Sequence, residues 1–462
     1  MDRRVDEFPP RGSGIPGRIE RLPSATWATP DQFGDDWVWR PGRVLLGRWQ
    51  NRLIGFEDDR HLLTVAGTRA GKTSTVLLHN LATYPGSMVV TDPKGELARA
   101  TAHVRRAMGQ RVFVLDPFGE LKADLPSSAS YNPFAELGFG RADLVAPDAA
   151  IAADALIIGN EDDPHWTDSA RNLIRALILY LMTTEGRATL RRVRELLQVS
   201  DHVALFERMT LMSAFGGVVS QAGASFLAKA REGTKEFASI LSTAQEQTAP
   251  LDDIRHVSDA SDFQLGDLSG GNITIYAVLP GMRMATHFRW LRLIVQMALA
   301  AVERHPVPRG RLPVLFMLEE FAALGAMRPI EVAAGLLAGA GVRLWPVVQD
   351  FTQLKANYPK SWETFVGNAG TIQAFAVGEM TTADYLSRML GDTQVVERQS
   401  VRVSSAAMSA GDAGVREQLR STKLLDGPEI TRAFARGTGR QLVLTPDRPP
   451  VFMERMGYYE QE

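Results

Sequence analysis

The sequence predicts an α/β fold with a mainly parallel central sheet and an all-α domain inserted into it. Three observations carry that prediction. Short apolar runs at 61–65, 87–90 and 112–115 each end in a polar loop, with segments of helical composition between them. Buried strands of that kind belong to a parallel sheet covered on both faces. From 143 to 262 the rhythm stops and helical spacing takes over, before strands resume at 273–279, 314–318, 342–348 and 372–377.

Taken in order, residues 1–42 form an N-terminal arm whose first part is rich in Arg, Pro and Gly and lacks the apolar core of a signal peptide. The two apolar runs within 43–56 read as a hairpin. Residues 73–84 and 96–108 read as helices beside the first strands, and 169–183, 189–199, 203–215 and 225–248 as the helices of the insertion. A long helix, 283–303, separates two of the later strands. In the strand 342–348 Pro346 removes a ladder N–H, so that strand is expected to be irregular. The segment 395–421 is rich in Ser, Ala, Gly and Arg and reads as a mobile loop. Runs at 441–444 and 451–456 close the chain. The domains expected are thus the arm, a sheet domain made of 43–142 and 263–462, and the insertion 143–262.

Composition narrows the chemistry. A chain of 462 residues, 45% hydrophobic and 23% charged, buries a large core and exceeds one ordinary domain. Its 51 basic and 53 acidic side chains give a net charge of -2, so any nucleic-acid contact must come from local patches or from an assembled pore. The clusters Arg105-Arg106 and Arg191-Arg192-Val193-Arg194 are either such patches or solvated helix faces. Cysteine is absent, which excludes disulfides, thiolate metal sites and cysteine nucleophiles. No stretch approaches the roughly 18 uninterrupted apolar residues of a membrane span.

The strongest local signal is Gly67-Thr68-Arg69-Ala70-Gly71-Lys72-Thr73, with Ser74 after it. It follows a strand and precedes a helix, the context a phosphate-binding loop requires. Its glycines let consecutive N–H groups face one anion, and the helix N-terminus adds partial positive charge. Lys72 is placed to reach the β- and γ-phosphates of a nucleotide, and the Thr73 hydroxyl to ligate Mg²⁺. Ser74 stands one place too late for that. The pattern usually starts with glycine, and here that position is Ala66.

A phosphate loop of this kind works with a second strand ending in carboxylates. The run 314–318 ends in Glu319-Glu320: Glu319 takes the metal-side position and Glu320 that of the general base. Asp is commoner at the first, so Glu319 sets its carboxylate one methylene further out. Gln349 ends the next strand and either senses the γ-phosphate or is an ordinary loop amide. Asp92 and Asp116 end earlier strands; each either faces the nucleotide crevice or caps the helix that follows, the cap being preferred for Asp116.

These pieces, in order, resemble the TraG-type coupling proteins of type IV secretion and conjugation, relatives of the FtsK and HerA DNA pumps. The residues that carry the resemblance are Ala66-Gly67-Thr68-Arg69-Ala70-Gly71-Lys72, Asp92-Pro93-Lys94-Gly95-Glu96, Asp116-Pro117-Phe118, Tyr131-Asn132-Pro133-Phe134, Glu320-Phe321-Ala322-Ala323-Leu324-Gly325 and Gln349-Asp350-Phe351-Thr352-Gln353-Leu354. The resemblance implies a RecA-like P-loop NTPase motor that uses ATP and Mg²⁺. It also implies a homo-hexamer with ATP at subunit interfaces, completed by a neighbour's arginine, for which Arg343 is the candidate. DNA or a relaxase–DNA complex would be the cargo, and inner-membrane components of the secretion system the partners. An ATPase that recruits protein effectors and a nucleotide-binding adaptor with little hydrolysis are the rival readings. Family members usually begin with membrane-spanning helices and this sequence shows none, so a soluble variant, or one tethered to the inner membrane through a partner, is expected in the cytoplasm.

Overall fold

The hairpin comes first in the fold: β1 (Val44–Trp49) and β2 (Arg52–Phe56) pair antiparallel, turning through Gln50 and Asn51, both at positive φ. The computed structural model describes residues 25–460 apart from 33, 126–127, 160–163, 234 and 401–414, so the start of the expected arm lies outside the described residues. Next come β3 (His61–Ala66), β4 (Met88–Asp92) and β5 (Arg111–Leu115), with α1 (Leu78–Thr83) and α2 (Glu96–Ala107) between them. The helical stretch holds α3 (Val145–Leu156), α4 (Pro164–Thr184), α5 (Leu190–Leu197), α6 (His202–Thr210), α7 (Val218–Arg231) and α8 (Lys235–Thr248). The chain then returns through β6 (Ile273–Val278), α9 (Gly281–Arg304), β7 (Val314–Leu318), α10 (Arg328–Leu336) and β8 (Val342–Val348). After α11 (Phe351–Asn357), α12 (Trp362–Gly367), β9 (Ala369–Phe375) and α13 (Met380–Leu390) it forms β10 (Asp392–Ser400) and β11 (Val415–Lys423). The helix Gly427–Ala433 and the hairpin β12 (Arg440–Thr445) and β13 (Arg448–Glu454) end it.

Eleven strands form one sheet in the order β2-β1-β13-β12-β9-β3-β8-β7-β4-β6-β5. From β9 to β5 all neighbours are parallel, and the two hairpins extend the sheet antiparallel on the other side. Strand alternation splits the apolar residues between two cores. Leu63, Val65, Phe316 and Leu344 face the one built with α9 and α3; Leu62, Ala66, Met317 and Trp345 face the one built with α1 and α2. The first core runs on without a break through α9 into Leu173 and Leu177 of α4 and Ile240 of α8. The helical stretch is therefore packed continuously onto one sheet face.

Four expectations change. The helix read at 225–248 is two, the tail of α7 and α8, separated near Gly233, whose φ of 59° is left-handed. The helix read at 203–215 stops at Thr210, and the rest of that stretch is turned by Phe215 and Gly216, both at positive φ. The alanine-rich α3 was not anticipated; its small buried Ala149, Ala152 and Ala153 give it no strong apolar stripe. The mobile loop expected across 395–421 is corrected at both ends, where β10 and β11 pair from Asp392↔Lys423 to Ser400↔Val415. Cross-strand backbone bonds hold such a ribbon whatever its side chains, which is why its polar composition concealed it. Residues 401–414 lie outside the described residues.

Pro346 sits inside a fully buried strand and the sheet accommodates it locally. The β3–β8 ladder begins only beyond it, at Thr64↔Val347, and two residues earlier the Leu344 N–H donates to His61 Nδ1 at 3.1 Å. The arginine clusters form no basic stripe. Arg105 is wholly buried, donating to Thr274 Oγ1 and to the carbonyls of Leu81, Tyr84 and Gly86, and so it ties down the end of α1. Arg191 pairs with Asp259, Arg192 with Glu185 and Arg194 with Asp252. Among the described residues no single helix is long and apolar enough to cross a membrane.

Candidate nucleotide site

The parallel strands β3, β7, β8 and β4 all end on one edge of the sheet, and the site is built there. β3 ends in Ala66, which is extended and paired with Phe375 of β9. A strand residue in that geometry needs no glycine, which is why the pattern tolerates alanine there. The strict demand falls on Gly67, where a Cβ would lie 2.4 Å from the Ala376 carbonyl oxygen. The loop then turns through Arg69 and Gly71, at φ 56° and 88°. It enters a π-helical turn, Thr73–Leu77, and across its start the Thr75 N–H donates to Gly71 O at 2.8 Å. Left-handed backbone at alternate positions is the means by which such a loop turns its N–H groups inward.

Lys72 is buried, with its ammonium 3.8 Å from Glu320 Oε1. Thr73 Oγ1 donates to Glu319 Oε1 at 3.4 Å. Thr68 and Arg69 are exposed on the loop, and Ala70 is buried beneath it. Ser74, anticipated with the loop, lines the cavity but turns its hydroxyl onto Gly71 O at 3.3 Å. The two glutamates differ in their surroundings. Glu319 is buried, and burial, reinforced by the charge of Asp92 and opposed by Lys72, pushes its carboxyl up to about 8. Glu320 follows the end of β7 in a left-handed conformation (φ 51°, ψ 44°) that turns its side chain toward Lys72. Such backbone costs a non-glycine residue about 1–2 kcal/mol and is held by its surroundings.

Gln349 follows β8, whose Val348 pairs with Val65 of β3. Its Nε2 donates to Glu320 Oε2 at 3.3 Å while its Oε1 accepts from Thr68 Oγ1 at 2.9 Å. The amide thus bridges the phosphate loop and the second glutamate. Arg343 is not brought to the site. It lies near the opposite end of β8, six residues before Gln349, hence about 20 Å away along the strand. It is buried beside Tyr84, Asp58 and Asp59, with an unpartnered Nε and a guanidinium that burial holds below its ordinary value. A side chain enclosed in its own subunit cannot complete a neighbour's site.

One cavity of about 590 Å³ joins these parts, running from Thr68–Ser74 and both glutamates past Lys94 and Arg99 to Arg436 and Tyr459. Asp92 ends β4 beside it, buried; Oδ2 accepts from the Ala98 N–H at 2.8 Å, and Oδ1 has no partner. Burial pushes this carboxyl up to about 6. Asp116 accepts from the Glu120 and Leu121 N–H groups of a turn; among the described residues no helix directly follows it, so the helix cap preferred for it is not formed.

A family model described as Type IV secretory system Conjugative DNA transfer matches residues 25–462. The chain belongs to that family. Protein VirD4 of Agrobacterium fabrum is 26% identical over 427 residues, which cover 90% of this chain and 61% of the relative. Conjugal transfer protein TraG of Rhizobium radiobacter is 28% identical over 479 residues, covering 100% of this chain and 71% of the relative. The chain thus spans about three-fifths of the length of the VirD4 relatives it matches. Among solved structures, the plasmid coupling protein TrwB in complex with the ATP analogue ADPNP superposes with a TM-score of 0.69 at 15% identity, covering 96% of both chains. TrwB in complex with ADP and Mg²⁺ superposes with a TM-score of 0.65 at 17% identity, covering 86% of this chain and 85% of that one. These likenesses establish the α/β fold of conjugative coupling proteins.

Within this member of the conjugative DNA transfer family, a hydroxyl and two buried carboxylates, one with a free acceptor, converge beside the phosphate loop. That donor set fits Mg²⁺, which is usually held by one or two carboxylates together with substrate phosphates. Several lining residues escaped the sequence reading of the site, Lys94, Arg99, Arg436 and Tyr459 among them. Lys94 had a signal, because it lies just beyond β4 on the same sheet edge. Arg436 and Tyr459 had none, since they flank the C-terminal hairpin and only its place in the sheet brings both to the cavity.

Proposed function

We propose that the chain is an ATP-driven coupling protein that recruits DNA, or a relaxase–DNA complex, and translocates it to a type IV secretion channel. The observation that carries this is the convergence on one cavity of Lys72, Thr73, Glu319 and Glu320, with Lys72 3.8 Å from Glu320, Thr73 3.4 Å from Glu319 and Gln349 bonded behind them to Glu320 and Thr68. In this reading the loop N–H groups and Lys72 hold the β- and γ-phosphates. Thr73 and Glu319 hold Mg²⁺, which supplies charge neutralisation on the phosphates when bound. Glu320 accepts the proton of the attacking water, and Gln349 fixes the Glu320 carboxylate and reports the γ-phosphate to the neighbouring strand.

The subunits act as a homo-hexamer with nucleotide at their interfaces, and a neighbour's arginine other than Arg343 completes each site. The stretch 143–262 is the all-α domain of the motor, and inner-membrane components of the secretion system hold the ring at the cytoplasmic face. Repeating modest charges around a ring gives a basic channel without a basic subunit, which reconciles DNA handling with a net charge of -2.

Steady-state ATP hydrolysis with and without single-stranded DNA tests the reading, comparing wild type with Lys72→Ala and Glu320→Gln. DNA-stimulated turnover that both substitutions abolish is expected. ATP binding without turnover under any condition would replace the motor by a nucleotide-binding adaptor, and stimulation by a protein effector alone would move the cargo from DNA to protein.

A further inference from the structure

The cavity is not lined by the phosphate loop and the glutamates alone. Beyond the phosphate loop it continues past the apolar side chains of Leu78 and Ala100 to Tyr459. Tyr459 belongs to a short turn, Tyr458–Glu460, that follows β13, and this turn packs against the helical turn leaving the phosphate loop.

The segment carrying Tyr459 is fixed to the loop from two sides. Arg455, its guanidinium 4.6 Å above the Phe375 ring, donates to the Ala70 carbonyl at 2.5 Å and to the Arg436 carbonyl at 2.8 Å. His79, one residue beyond Leu78 on α1, makes a 2.9 Å hydrogen bond from Nε2 to the Met456 carbonyl, and its ring meets Tyr458 edge-on at 5.4 Å. The anchoring contacts are made by Arg455, Met456 and Tyr458. Tyr459 is left 71% exposed, its ring meeting Tyr458 edge-on at 5.3 Å. A large exposed aromatic ring, on a segment anchored to the phosphate loop, thus lines the same cavity as that loop, together with the apolar Leu78 and Ala100.

We propose that Tyr459 is the base platform of this site: its ring stacks on the base of a bound nucleoside triphosphate while the Thr68–Ser74 loop holds the phosphates. This rests on the nucleotide-binding reading above and goes beyond it, because it assigns base affinity to a residue far in sequence from every phosphate contact. Arg455 then has a second consequence. Its bond to Ala70 makes the base platform and the phosphate loop one rigid unit, so the spacing between the two ends of the ligand is preset.

Stacking on an aromatic side chain is sequence-tolerant and strengthens binding by about tenfold or more per base. The test measures binding of ATP and of inorganic tripolyphosphate, each with Mg²⁺, to the full chain carrying Tyr459→Ala, Tyr459→Trp or Lys72→Ala. Tyr459→Ala is expected to weaken ATP about tenfold and leave tripolyphosphate unchanged, while Tyr459→Trp keeps wild-type affinity for both. ATP affinity unchanged by Tyr459→Ala, or an equal loss for both ligands, overturns the assignment. If the wild type binds neither ligand, or Lys72→Ala changes neither, the nucleotide reading itself fails and the platform falls with it.

Discussion

Gln349 places its Nε2 3.3 Å from Glu320 Oε2, and the same amide accepts the Thr68 hydroxyl through its oxygen. Two strand ends and the phosphate loop are thereby joined through one side chain. Removing the base and removing its holder should have different signatures. Glu320→Gln is isosteric and is expected to keep ATP binding while lowering turnover by about 10²–10⁴-fold, the usual contribution of a positioned general base. Gln349→Ala leaves the carboxylate in place but free to rotate, so kcat should fall by less, about tenfold, at unchanged ATP affinity. Single-turnover hydrolysis and equilibrium binding on the two variants separate these outcomes; loss of binding in Gln349→Ala would make the amide a loop brace instead.

Gly67 is the position where the phosphate loop has no slack. A Cβ there meets a backbone oxygen at 2.4 Å, and its owner, Ala376, is itself at φ 50°, so the obstacle cannot swing aside as a side chain would. Gly67→Ala should displace the loop, abolish ATP binding and destabilise the fold by about 1–3 kcal/mol, the usual cost of overpacking. Ala66→Gly, in an extended residue, should leave binding intact. ATP titration and urea denaturation of the pair measure both effects.

Much of this was legible beforehand because each signal was local. A strand–loop–helix sequence around Lys72, an apolar run ending in Glu319-Glu320, and a run ending in Gln349 all specify their own neighbourhoods. The parallel order then sets their ends side by side. What escaped depends on long-range placement. Arg343 lies one residue into β8, and its burial within its own subunit, which no local pattern announces, removes it from a neighbour's site. Tyr459 reaches the cavity only through the antiparallel hairpin β12–β13. Arg105 looked like surface charge, yet its helix face buries it under four acceptors. The ribbon β10–β11 is held by backbone bonds that no side-chain pattern announces.

The metal position has its own consequence. Glu319 Oε1 already lies 3.4 Å from the Thr73 hydroxyl, so the longer glutamate closes the gap that an aspartate would leave. Glu319→Asp, which reopens that gap, should therefore weaken the Mg²⁺ contribution to ATP binding, and Glu319→Gln, which keeps the length and removes the charge, should weaken it about 10–100-fold. The ratio of ATP dissociation constants with and without Mg²⁺ is the readout. Equal ratios in wild type and Glu319→Gln would take Glu319 out of the metal's surroundings.

The pH dependence of stability should be set partly by His61. Its Nδ1 accepts the Leu344 N–H at 3.1 Å and its Nε2–H donates to the Ala333 carbonyl at 3.3 Å, a pair of bonds that only the neutral ring can make. Burial accordingly holds its pKa below the ordinary histidine value. Below about pH 6.5 the unfolded chain takes up a proton at this position that the folded chain refuses. The unfolded state then binds more protons, so stability falls as pH drops from there toward the folded-state pKa, by at most about 1.4 kcal/mol per pH unit for one group. His79, buried with its Nε2 bonded to the Met456 carbonyl, is depressed in the same direction by burial and adds to the slope. Urea midpoints measured at about pH 7.5 and about pH 5.5 should therefore fall on acidification in wild type. They should fall less steeply in His61→Gln, which starts less stable but has no ring to titrate. Parallel slopes in the two proteins would place the acid sensitivity elsewhere and leave the His61–Leu344 contact a purely geometric repair of the strand around Pro346.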